Sequence, residues 1–244
     1  MGRGIFVTGT DTGVGKTVVA AGIVRWLKKQ GIDAVPMKPV QTGCRREGDR
    51  LIAPDLEFCL SAAGIQPDPD EIPLMAPYAY EPACSPHLAG RLAERYPEIS
   101  IIKHCADRLM QKHQAIVAEG AGGIMVPLNE GQTMLDLMKA LAYPVVLVAR
   151  SGLGTINHTL LSIHALRASG LDVLGVVFND VSPPQPEDQF IEDDNPKTIA
   201  RLGNIRMLGK LRYLNGMSSK TGDAWWHFEK DMTGLKIIRD ELGA

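Results

Sequence analysis

Apolar residues recur along this chain in two rhythms, and the alternation between them outlines a fold. Gly4 to Thr8 (GIFVT) is a short β-rich run, and from Thr17 to Gln30 the residues Val18, Val19, Ile23 and Leu27 keep a helical spacing, closed by Gly31 as a C-cap. A strand, a glycine-rich turn and a helix therefore open the chain. Ala34 to Met37 reads as a second strand, with Pro36 pointing to an end or edge position, and the chain then reads as irregular from Lys38 to about Asp49. Ser85-Pro86 is a helix start, and Ser100 as N-cap opens a helix to His113 that repeats Ile101, Ile102, Cys105 and Leu109.

Farther on, Ala115 to Glu119 (AIVAE), Pro144 to Ala149 (PVVLVA) and Asp172 to Asn179 (DVLGVVFN) are continuous apolar runs of strand length, the pattern of strands buried on both faces. Thr155 to Ser169, closed by Gly170, is helical between the last two. This order predicts an α/β fold: a doubly wound, mainly parallel sheet with helices on both faces. Such a sheet binds ligands beyond the carboxyl ends of its strands, where the loops after Thr8, Met37, Glu119, Ala149 and Asn179 gather. Residues 180–195, rich in proline and acid, read as a surface loop or mobile arm. Met207 to Leu211 is a candidate last strand, and the remainder, with Trp225, Trp226 and an amphipathic Leu235 to Leu242, a candidate docked helix.

Composition adds bounds. The 244 residues, 45% apolar and 22% charged, suit one globular domain spanning 1–244. Lys plus Arg (26) against Asp plus Glu (28) gives a net charge of -2, which offers no broad attraction to nucleic acid or to an anionic membrane, so any anion site is local. No run approaches the roughly 18 apolar residues of a membrane span, and no signal-peptide core precedes the first strand, so a cytoplasmic protein is expected. Cys44, Cys59, Cys84 and Cys105 stand singly, without zinc-ligand spacing, and read as reduced structural thiols.

The local anion site is legible. Gly9-Thr10-Asp11-Thr12-Gly13-Val14-Gly15-Lys16-Thr17 lies between strand and helix, the context a phosphate-cradling loop requires. It is a variant of G-x-x-x-x-G-K-[ST], because the leading glycine is Gly9 where the pattern asks for one at Thr10. Backbone N–H groups from Thr12 through Gly15 face the anion, Lys16 reaches the terminal phosphates, and the Thr17 hydroxyl can ligate Mg²⁺. The turn lacks G-x-G-x-x-G and carries Lys38 where a dinucleotide fold has an acid, which disfavours a dinucleotide. Two carboxylates are placed for a metal: Glu119, at the end of a buried strand before Gly120-Ala121-Gly122-Gly123, and Asp55, after Pro54. Asp55 is equally open to a helix-capping role, and Glu119 to that of a solvated loop residue.

With these residues in hand, the chain resembles the dethiobiotin synthetase family from Phe6 to about Pro184. The motifs are FVTGTDTGVGKT (Phe6 to Thr17), KPVQTG (Lys38 to Gly43), EPACSPH (Glu81 to His87), EGAGG with VPL (Glu119 to Leu128), INH (Ile156 to His158) and ND-V-x-PP (Asn179 to Pro184). The resemblance implies an ATP- and Mg²⁺-dependent ring closure of 7,8-diaminononanoate with CO₂ to dethiobiotin, in a P-loop NTPase-like fold. It implies that Lys16, Thr17, Asp55 and Glu119 hold ATP and metal. By the same resemblance, Thr12, Lys38 and Thr42, with Gly122 and Asn157, are expected to face the diamine and its carbamate, Lys38 and Lys16 to act as the catalytic cations, and Asn179 to read adenine. It further implies a homodimer in which the substrate's tail carboxylate docks on the partner near Gly154 to Asn157. Gly13 stands where relatives often carry Glu, and Gly209-Lys210-Leu211-Arg212 replaces the family's Gly-x-Ile-Pro-like stretch.

Two other classes compete. A switch ATPase of the partition or division-site type shares the sheet order, but carries an extra lysine early in the P-loop where this chain has Asp11, and its membrane-attached forms end in a basic helix, unlike the charge-balanced LKIIRDEL. A cobyrinate-type amide ligase usually appends a glutaminase domain for which there is no room. His87 and His158 lie within the motifs, and a structural role is favoured over catalysis for both.

Overall fold

The computed structural model describes residues 3–183, 185–213 and 222–243, with the side chains of 222–224 left aside. Pro184, at the end of the Asn-Asp motif, lies outside the described residues. The first half of the chain forms β1 (Arg3–Gly9), α1 (Lys16–Lys29), β2 (Ala34–Met37), β3 (Val40–Gln41), β4 (Arg45–Glu47), β5 (Arg50–Ile52), α2 (Pro54–Ala63), α3 (Ile72–Met75), β6 (Tyr78–Ala79), α4 (Pro86–Leu92) and α5 (Ile99–Lys112). The second half forms β7 (Ala115–Gly123), α6 (Met134–Leu141), β8 (Val145–Ala149), α7 (Thr155–Ala168), β9 (Val173–Asn179), α8 (Gln189–Leu202), β10 (Met207–Leu211), α9 (Gly222–Asp231) and α10 (Leu235–Glu241).

Six strands pair in the order β10-β9-β8-β1-β7-β2, every pair parallel. Alternate residues of β1 face opposite layers: Ile5 and Val7 pack with α1, α9 and α10, and Phe6 packs with α5 and α6. Leu147 and Phe178 meet α7 and α8 on the same side as α6. Helices thus cover both faces, as the continuous apolar strands require. β2 lies at the sheet edge, which accommodates the missing N–H of Pro36. Because β7 and β8 flank β1 on opposite sides, the loop leaving β1 opens at the crevice where the winding reverses.

Four expectations need correction. The segment after Met37 is not wholly irregular: β3 pairs with β6, and β4 and β5 form a hairpin turning at Gly48-Asp49. Strands this short carry no readable period. Residues 180–195 are not an unstructured arm throughout, because α8 begins at Gln189 after a turn of 3₁₀ helix. Its Pro196 removes the N–H that would bond the Glu192 carbonyl, and the Lys210 ammonium of β10 takes that carbonyl at 3.2 Å instead. Asn195, buried on the same helix, donates to the Ser151 and Gly152 carbonyls at 2.8 and 2.9 Å. α5 starts at Ile99, with extended Glu98 in the N-cap position that Ser100 was expected to fill. Finally, β7 runs past Glu119 to Gly123, so that carboxylate sits within a strand. The tail docks as expected: Trp225 is buried against Phe58 and Phe228, while Trp226 is exposed.

Candidate active site

The loop after β1 is shaped by two glycines in the left-handed region, Gly13 (φ 72°) and Gly15 (φ 93°). Gly15 is also the N-cap of α1, and a Cβ there would strike the Asn179 amide. No side chain caps α1, so the N–H groups of its first turn are left open to an anion. Asn179, at the end of β9, donates to the Val14 carbonyl at 3.0 Å and braces the loop from behind. Lys16 turns back over the loop, its ammonium on the Asp11 carbonyl at 2.7 Å. Burial first, and the nearby Lys38 charge second, hold the Lys16 amine down at about 8.

Lys38 leaves the end of β2 with its backbone N–H on the Met75 carbonyl, 2.7 Å away. Its buried ammonium lies 2.6 Å from Asp55 Oδ2 and 2.7 Å from Glu119 Oε1, and it also meets the Gly120 carbonyl at 3.3 Å. The same Glu119 oxygen accepts the Thr17 hydroxyl at 2.8 Å. Burial opposes a charged Lys38, but Glu119 and Asp55 outweigh it and raise the amine above its ordinary range. Pro54 takes the first position of α2, which makes Ala53 the N-cap residue and places Asp55 two residues past it, at the second helical position. The capping alternative for Asp55 is therefore set aside, and that for Glu119 as a solvated residue falls with its 3% exposure.

These groups line one cavity of about 640 Å³. Its walls bring together Thr12, Gly13, Gly15, Lys16, Thr17, Lys38, Thr42, Asp55, Glu119 and Gly122. Val14 and Asn179 stand behind the loop, outside that lining. Asn157 is exposed and lines a separate groove with Leu153, Gly154, Ile156, Leu160 and Leu161. His87 and His158 do not line the cavity either. Three polar residues of the cavity lining escaped the sequence reading. Gln41, inside KPVQTG, lines the cavity and accepts the Asp55 N–H at 3.3 Å. Cys84 and Ser85 of EPACSPH form part of the opposite wall. Motif membership was the available signal for all three.

The donor set suits a hard divalent ion. Thr17, Asp55 and Glu119 offer oxygen only, and a positive charge, the Lys38 ammonium, already rests among them. Among the described residues no group of three or more His, Cys, Asp or Glu side chains is placed to hold a metal ion.

A phosphate loop at the switch point of a parallel sheet, with a lysine and a hydroxyl opening the next helix, defines a P-loop nucleotide-binding protein. The cell-division ATPase MinD of Pyrococcus furiosus shares this fold, with a TM-score of 0.57 at 17% identity over 100% of this chain and 98% of that one. An AAA domain family model matches residues 3–221. The ATP-dependent dethiobiotin synthetase BioD of Halalkalibacterium halodurans is 40% identical over 212 residues, 86% of this chain and 85% of that protein. The protein of the same name from Bacillus subtilis subsp. natto is 34% identical across 99% of both chains. The chain belongs to the dethiobiotin synthetase family.

Proposed function

We propose that this chain, as one P-loop domain, closes the cyclic urea of dethiobiotin from 7,8-diaminononanoate, CO₂ and ATP. The observation that carries the reading is the convergence of Lys16 and Lys38 on one cavity beside the phosphate loop. An alkyl diamine titrates at about 10 and is mostly ammonium at neutral pH, unable to attack CO₂. Two cations in the pocket repel that ammonium and favour the free amine. One amine adds to the carbon of CO₂ and loses a proton, giving a carbamate anion that Lys38 neutralises. A carbamate oxygen then takes the γ-phosphoryl group, ADP departs, and the second amine attacks the carbonyl carbon and expels phosphate.

Phosphoryl transfer asks for alignment and charge neutralisation, so no side-chain nucleophile is assigned. The loop N–H groups from Thr12 through Gly15 and the Lys16 ammonium hold the ATP phosphates. Thr17, Asp55 and Glu119 would hold Mg²⁺, which supplies further neutralisation of phosphate charge when bound. Thr12, Thr42 and Gly122 bound the diamine half of the cavity, and Asn179 reads adenine from behind the loop. The chain works as a homodimer. Leu153 and Leu161, 90% and 60% exposed on the groove of Gly154 and Asn157, support a second copy there, with Asn157 receiving the tail carboxylate of the partner's substrate. Four free cysteines fit a reducing compartment, the cytoplasm. No helix among the described residues is long and apolar enough to cross a membrane.

Incubation with ATP, Mg²⁺, labelled bicarbonate and diaminononanoate tests the reading, with acid-stable label in a product of the diamine as the expected result. ATP hydrolysis that ignores the diamine but rises with DNA or a protein partner would replace it with the switch-ATPase reading.

A further inference from the structure

Asp55 and Glu119 come from different elements, α2 and β7, yet both direct an oxygen at one point. At that point sits the Lys38 Nζ, 2.6 Å from Asp55 and 2.7 Å from Glu119. Thr17, the third donor for a metal, hydrogen-bonds the same Glu119 oxygen that the ammonium holds. Without a cation, two carboxylates this close would repel one another in a region where Glu119 is 3% exposed. Lys38 satisfies them.

A divalent ion ligated by those carboxylates, at about 2.0–2.1 Å for Mg²⁺, needs the oxygens that the ammonium now holds. Two cations cannot share that space, since each like charge raises the free energy of the other. Lys38 has room to leave. Its backbone N–H is held by the Met75 carbonyl and its ammonium by the two carboxylates and, at 3.3 Å, the Gly120 carbonyl, while the cavity that it lines with Thr42 and Gly122 offers space into which a flexible four-carbon stem can turn. Lys16 is held differently, by a backbone carbonyl, and blocks no carboxylate.

We propose that the Lys38 ammonium is a resident stand-in for the divalent cation, released toward the Thr42 and Gly122 side of the cavity when the metal enters. The inference rests on the metal reading given above. It gives one lysine two successive posts: it keeps the empty donor set assembled, and it becomes available to the carbamate only in metal-loaded protein. Metal entry and the arming of the substrate half are then one event, so carbamate capture follows metal binding.

Mn²⁺ titration of the full chain without nucleotide, read by electron paramagnetic resonance of free Mn²⁺, tests this. Lys38→Met is expected to bind Mn²⁺ about tenfold tighter than the parent, and Lys16→Met to change affinity by less than about threefold. Glu119→Gln is expected to weaken binding about tenfold. Weakened binding by Glu119→Gln with unchanged or weaker binding by Lys38→Met overturns the stand-in while leaving the metal site intact. Equal gains in the two lysine variants overturn it as well, because through-space repulsion alone would then account for them. If neither Glu119→Gln nor Asp55→Asn moves the affinity, the metal reading fails and the stand-in with it. Should Lys38→Met be poorly stable without metal, the rise in Tm on adding Mn²⁺ serves as the readout. A larger rise in the variant than in the parent supports the stand-in, and an equal or smaller rise overturns it.

Discussion

The side-chain carbonyl of Gln41 accepts the backbone N–H of Asp55, 3.3 Å away, and so ties the strand just beyond Lys38 to the first turn of α2. That turn has Ala53 at its N-cap position and no side-chain cap of its own. The Gln41 amide nitrogen donates in turn to the Thr42 carbonyl at 2.9 Å. One buried amide therefore links a residue assigned to the metal with one assigned to the substrate.

Gln41→Met keeps the length and burial of the side chain while removing both bonds. The Mg²⁺ concentration for half-maximal activity is expected to rise about threefold to tenfold, as for loss of a helix cap of about 1 kcal/mol, with ATP affinity nearly unchanged. In an Asp55→Asn background the same substitution should have little further effect. A full effect in both backgrounds would show that Gln41 does not act through Asp55.

Lys38 and Lys16 line one cavity but hold different partners, and their losses should differ accordingly. Lys38→Ala is expected to lower kcat about a thousandfold or more, because the carbamate loses its counter-charge, and to leave the Kd for ATP, measured without divalent metal, within about twofold. Single-turnover kinetics and calorimetric ATP titration check the two halves. A parallel loss of ATP binding would move Lys38 to the nucleotide side.

Much of this was legible in the sequence because the informative signals were local. β8, β9 and the first half of β7 are short continuous apolar runs, the pattern of strands covered on both faces, and the phosphate loop lies between β1 and α1 as its spacing requires. Asp55 was ambiguous because sequence fixes its place near a helix start but not which residue takes the first helical position. Pro54 decides that. β3, β4 and β5 were missed because two or three residues cannot display a period. No periodicity announces that Lys38, Asp55 and Glu119 meet: the family resemblance put Asp55 and Glu119 on one metal, but the Lys38 ammonium between them depends on how β2, α2 and β7 are laid side by side.

Lys16 gives the site a pH dependence with a definite sign. Its amine is held at about 8 by burial and by Lys38, below the ordinary lysine value of 10.5. The ammonium proposed to hold phosphate is therefore lost from the empty protein as pH rises through about 8, and on that reading ATP binding above that pH takes up a proton. ATP affinity measured without divalent metal is expected to fall about tenfold between pH 7 and 9. Lys16→Met should bind ATP more weakly throughout, with a flatter profile. A flat profile in the parent would place the Lys16 titration outside this range.

α8 depends on a contact that its own sequence does not contain. Pro196 cannot bond the Glu192 carbonyl, and Lys210 does so from β10 at 3.2 Å, within ion-pair range of Asp180, Glu192 and Asp193 at 3.9 Å. Burial first, and the Asp180 charge second, push the Glu192 carboxyl upward, so this acidic corner is under repulsion that the lysine relieves. Lys210→Met is expected to lower stability by about 1–2 kcal/mol, for one unsatisfied carbonyl and weak partly exposed ion pairs. Amide hydrogen exchange should quicken in α8 while the amides of β1 and α1 stay protected. Adding Pro196→Ala restores an N–H to that carbonyl and should recover part of the loss. If it recovers nothing, the orphaned carbonyl is not what Lys210 satisfies, and the ion pairs alone hold this end of the helix.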